Sequence, residues 1–151
     1  MSEYRIEKLK REVSVLLANG ERLEGQMFLR PVSRYRPRSE DPLELLNDVE
    51  PFFPLMLENG KAVLISKSGV AIVETSIEDE DQDLTALGYL VDVTLINGSS
   101  CRGSVFVERQ PGRQRLYDFL NAYPSRFMSV VNTDKLILIN TQTIAQVREV
   151  D

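Results

Sequence analysis

Apolar side chains alternate along this chain. Val13, Val15 and Leu17 lie two apart, the period of a β-strand with one face on a core. Leu23, Gly25, Met27 and Leu29 continue the alternation after Asn19-Gly20, a pair that tolerates the positive φ of a hairpin turn. The pattern then returns: Val91, Val93 and Leu95, the pair Asn97-Gly98, then Cys101, Gly103, Val105 and Val107. Gly25 and Gly103 fall mid-strand on the inner face, where glycine marks a bend or a close backbone approach. Phe28 and Phe106 break the alternation by standing on the polar face, so each needs a cover.

A short helix follows the second strand. "SEDPLELLND" offers Ser39 or Asp41 as N-cap and Pro42 in the first turn, the usual helix-start chemistry. "RLYDFLNA" is its later counterpart, and the two helices are the nearest cover for Phe28 and Phe106. An exposed, partner-binding aromatic is the other reading. Three further strands are predicted in each half: "FPLMLE", "KAVLISK" and "GVAIVE", then "RFMSVV", "KLILIN" and "TIAQVRE". Ala62–Ile65 and Leu136–Ile139 are apolar at consecutive positions, as in strands buried on both faces. One small core covers one face, so the sister half, a helix or another chain must cover the other.

The halves align. Val13, Val15, Leu17, Asn19, Gly20, Gly25 and Phe28 meet identical residues 78 positions on. Beyond a slip in the loop after Phe28 the offset is 74, pairing Leu46-Asn47 with Leu120-Asn121, Phe53 with Phe127, Lys61 with Lys135 and Leu64-Ile65 with Leu138-Ile139. Insertions belong in surface loops, so a true duplication should slip there. The expected fold is mainly β: a tandem duplication, over 1–76 and 85–151, of a unit of about five short strands with one helix after the second. Residues 77–84, with "SIEDEDQDL" around them, read as an acidic, solvated linker.

"VSVLLANGERLEGQMF" resembles the opening of Sm-like domains, in which a strand, a turn and a bent, glycine-containing strand follow in that order. The resemblance covers roughly 16 residues of each copy and implies a small SH3-like barrel able to assemble through strand edges. The later Sm motif, a basic-Gly pair after an apolar strand, is absent. "ISKSG" and "INTQT" stand there instead, so RNA contact is not implied.

Composition narrows the chemistry. The chain has 151 residues and net charge −5, which gives no general attraction for nucleic acid or anionic lipid. No apolar run approaches a membrane span, and "MSEYRIEKLKRE" has no signal-peptide character; a cytoplasmic location is expected. Histidine is absent and Cys101 is the one cysteine. Histidine-based nucleophile systems and zinc sites are therefore excluded within one chain. Cys101 stands where Leu23 stands in the first half and reads as a buried small hydrophobe. Neither phosphate loop nor dinucleotide fingerprint occurs. "DEDQD" (Asp79–Asp83) spaces carboxylates like a calcium loop but lacks the later glycine and glutamate. No catalytic residue, cofactor or metal ligand is assigned.

Two arginine-rich loops carry what chemistry remains. Arg30, Arg34, Arg36 and Arg38 surround Tyr35, and Arg109, Arg113 and Arg115 occupy the corresponding loop. Guanidiniums fork onto phosphate or carboxylate, and tyrosine stacks; equally, these arginines sit beside acidic helices and can balance them. "RYRPR" also resembles the R-x-x-x-R of cyclic di-GMP-binding PilZ domains, but in "NGSSCRG" Gly103 falls one residue late for the second PilZ motif. The first expectation is a non-enzymatic assembly or adaptor module that self-associates or binds protein through Phe28, Phe106, Leu64 and Leu138. The second is an anion-binding regulator, for RNA, single-stranded DNA or a nucleotide, using the arginine loops.

Overall fold

The computed structural model describes residues 9–78, 87–107 and 115–150, Leu87 by its backbone alone. The elements are β1 (Leu9–Leu17), β2 (Arg22–Leu29), α1 (Pro42–Asn47), β3 (Phe52–Leu57), β4 (Ala62–Ser66) and β5 (Val70–Ser76), then β6 (Leu87–Leu95), β7 (Ser100–Val107), α2 (Leu116–Ala122), β8 (Phe127–Asn132), β9 (Lys135–Asn140) and β10 (Ile144–Glu149). The ten strands form one unclosed antiparallel sheet in the order β10-β6-β7-β8-β9-β5-β1-β2-β3-β4. Among the described residues no helix is long and apolar enough to cross a membrane.

The halves meet at the β5–β9 pair, where Val73 lies opposite Leu138 and Ile72 opposite Ile139. Ile77, expected to open the linker, donates its N–H to the Asp134 carbonyl at 2.8 Å and prolongs this pairing. There are two hydrophobic cores, one on each side of these strands. Leu136 and Leu138 of β9 join Val70 and Val73 of β5 in the first core, which also holds Phe53, Leu55 and Leu46. Ile137 and Ile139 join Ala71 and Ile72 in the second, with Val91, Val93 and Met128. The sister half therefore covers the second face of "KLILIN". Each such side chain contributes about 2 kcal/mol of burial, and the two central strands contribute to both cores at once.

Pairing within each half follows one register. Val15 faces Val73 and Leu17 faces Val70; Val93 faces Val147 and Leu95 faces Ile144. Both ladders skip one alanine, Ala71 or Ala145. The turns match too. Gly20 and Gly98 take φ of 94° and 91°, while Asn19 and Asn97 accept the backbone N–H of Glu21 and Ser99, each at 2.9 Å. Asparagine thus serves as a side-chain acceptor, and glycine alone supplies the positive φ.

Register corrects one alignment. Phe52 pairs with Ser66 and Phe127 with Asn140, so Phe127 corresponds to Phe52, and Phe53 corresponds to Met128. The cause is a turn one residue shorter in the second half. Leu57 and Lys61 close the first turn around Asn59-Gly60, whereas Asn132 and Lys135 close the second around Thr133 and Asp134 alone.

The mid-strand glycines mark close approach. A Cβ on Gly103 would lie 2.5 Å from Val130 Cγ1 and 2.7 Å from the Val131 carbonyl oxygen, and one on Gly25 would strike the Met56 carbonyl. Gly103→Ala should therefore lower stability by about 2 kcal/mol in urea denaturation. Gly69→Ala, where a Cβ would meet nothing within 4 Å, should leave the midpoint unchanged.

Candidate functional site

The first arginine loop folds over its own helix. Asp41 caps α1 and forms a capping box with Glu44, which satisfies orphan N–H groups of the first turn. The loop then closes through the Ser33 N–H to the Arg38 carbonyl (2.6 Å) and the Glu40 N–H to the Arg30 carbonyl (2.9 Å). This brings the guanidiniums onto carboxylates. Arg30 meets Glu40, Asp48 and Glu50; Arg34 meets Asp48 and Glu50; Arg36 meets Asp41 and Glu44; Arg38 meets Asp41. Tyr35 donates its hydroxyl to Asp48 at 3.0 Å. Four guanidiniums thus face five carboxylates, and the loop presents no net positive field to an anion. Arg109 and Arg113 lie outside the described residues; Arg115 is exposed at the start of α2 and makes no side-chain cap.

The carboxylates are shifted accordingly. Burial pushes Glu44 up, but hydrogen bonds from Ser33, Arg36 and the Asp41 N–H outweigh it and hold it below its ordinary value. The Val49 N–H is the main cause that lowers Asp48, against its burial and with help from Tyr35, Arg34 and Arg30. Burial pushes the Cys101 thiol up to about 11, so it is protonated at neutral pH and no ready nucleophile.

A second cluster was not foreseen. Asn47, the last residue of α1, reaches across to β8. Its Oδ1 accepts the Phe127 N–H at 2.8 Å, and its Nδ2 donates to the Phe127 carbonyl at 3.1 Å. The same carbonyl accepts the Tyr123 hydroxyl at 2.5 Å, and the Phe127 ring is fully buried in the first core. Nearby, Asn140 donates to the Val70 carbonyl at 2.9 Å. Lys67 is buried and donates to the carbonyls of Leu45 and Asp48, a cation at the C-terminal end of α1 where the helix dipole favours one. The sequence signal was the repeated Leu46-Asn47 and Leu120-Asn121.

The expected contact residues divide. Leu138 is fully buried between the halves, so it is unavailable to an outside partner; β9 lies inside the sheet. Leu64 on the edge strand β4 is 70 % exposed. Phe28 is half-buried in a groove shared with Leu45, Asp48 and Phe52. Phe106 is exposed over Gly88. Leu64 and Phe52 thus stand at one end of the strand order and β10 at the other. No family model, no curated protein and no solved structure matches this chain.

Asn47→Ala strips the partner from the buried Phe127 N–H and should cost about 2 kcal/mol of stability by denaturant titration. Arg36→Ala should cost about 1 kcal/mol, because its pairs are partly exposed; arginines held only for a ligand would show no loss. Glu44 and Asp48 titrate lower in the folded chain than in the unfolded one. The stability they give is complete above the ordinary carboxylate range near about pH 4 and is lost as pH falls through the folded values. The urea midpoint should drop on acidification below about pH 4, and less steeply in Arg36→Ala.

Proposed function

We propose that this chain is a non-enzymatic assembly or adaptor module, built from two copies of one small β unit, that binds protein through the unpaired edges of its sheet. One observation carries the reading: the edge strand β4 keeps an apolar sequence, Ala62 to Ile65, with Leu64 exposed and Phe52 exposed beside it. Soluble chains usually blunt such an edge with charge, proline or a bulge; an apolar edge left open is suited to a partner strand.

The common register of the halves, with its skipped alanine in each, supports the duplication. The likeness to Sm-like domains stays with the opening strands of each unit. The lack of histidine and the protonated Cys101 thiol support a non-enzyme. An anion-binding role gains nothing from the first arginine loop, where carboxylates already satisfy the guanidiniums.

Native electrophoresis of lysate from cells that make the protein tests the reading. The wild-type chain should migrate above the 17.2 kDa of one copy and hold that position in high salt, since apolar contacts are not screened. Leu64→Asp should migrate lighter. A wild-type chain at single-copy mass in low and high salt alike would overturn the proposal.

A further inference from the structure

The contact between the halves has a second, unused copy. Its components on the second half include Phe127 and Leu138, whose counterparts on the first are Phe52 and Leu64. Phe127 and Leu138 are fully buried. The counterparts are 54 % and 70 % exposed for Phe52 and Leu64.

The receiving side is also duplicated. On the first half it consists of β5 and Asn47. On the second it consists of β10, which among the described residues pairs on one side alone, with β6, and Asn121, exposed on α2. Among the described residues Asn121 makes a local bond, from its Nδ2 to the Tyr117 carbonyl at 2.8 Å. Each chain therefore has one inserting edge and one receiving edge, at opposite ends of the strand order and not paired with each other.

Resting on the assembly reading, we propose that the occupant of each edge is a second copy of this chain, with β4 of one copy paired antiparallel to β10 of the next. Carrying the β5–β9 register across, Leu64 lies opposite Val147, and Val63 opposite Arg148. Phe52 goes under α2, with Asn121 bridging its backbone N–H and carbonyl as Asn47 bridges those of Phe127. β10 carries Gln146 and Glu149 where β5 carries Ile72 and Thr75, so the contact between copies is weaker than the one within a chain and depends on concentration. The contact is heterologous: its two surfaces differ, and repetition gives a ring or an open chain rather than a closed two-fold pair.

Light scattering after size exclusion, with native mass spectrometry, tests this on the purified full chain over a concentration series. Masses of three or more copies are expected as concentration rises. Leu64→Asp removes the inserting edge, and Asn121→Arg blocks the receiving one. Both positions are exposed, so folding should survive, checked by circular dichroism and melting; Phe52→Ser replaces Leu64→Asp if it fails that check. Each variant alone should be single-copy, and a mixture of the two should form a species of two copies and nothing larger. A wild-type chain that stays single-copy throughout would overturn the inference, as would a folded variant that assembles like wild type or a mixture that does not pair. A single-copy purified chain that still runs heavy in lysate would point to a different protein on the edge: the inference fails there and the assembly reading stands.

Discussion

The pairing of β5 with β9 governs the rest of the molecule. Neither strand is amphipathic in the ordinary sense, because each is apolar on both faces. A strand of this kind at the edge of a small unit would leave one face in water. Set side by side at the centre of the sheet, the two strands supply Val70, Val73, Leu136 and Leu138 to one core and Ala71, Ile72, Ile137 and Ile139 to the other. The cores are therefore not independent, and a lesion in either central strand weakens both.

Polar chemistry in the first half serves the same junction. α1 carries Asn47, whose placement depends on both ends of a six-residue helix. One end is held by the Asp41 capping box and the arginine loop, the other by the buried Lys67 ammonium. A helix this short has little stability of its own. The dense ion pairing of Arg30 to Arg38 is thus best understood as support for an element that reaches across the junction, with Asp48 joining several of its members.

Much of this was legible in the sequence, and the remainder was hidden for physical reasons. The alternation of Val13, Val15 and Leu17 reveals a strand because the period is local. Asp41 and Pro42 reveal a helix start for the same reason. The order of strands across the sheet has no such signature: Val73 and Leu138 carry nothing that names each other. The apolar run Leu136–Ile139 did show that a second cover was needed, and left open which of three it was. Identity matching sets Phe127 against Phe53, whereas hydrogen-bonded partners set it against Phe52, because the second turn is one residue shorter than the first. Asn47 was visible as half of a repeated pair, but a polar side chain at a helix end usually faces water, so it drew no role. The arginine loop showed its charges and concealed their partners, which depend on how the loop folds.

The junction also orders events in time. The first core is closed by Phe127, Leu136 and Leu138, all from the far part of the chain. During synthesis, when only the residues through Ser76 have left the ribosome, β5 has one neighbour, β1, and its other edge is bare. The first half must wait, with apolar surface uncovered, until β9 has been made. Contacts so distant in sequence form slowly, and an open strand edge is the kind of surface that captures a wrong partner in the interval. The feature that unites the finished molecule therefore makes its nascent form the stage most in need of shelter.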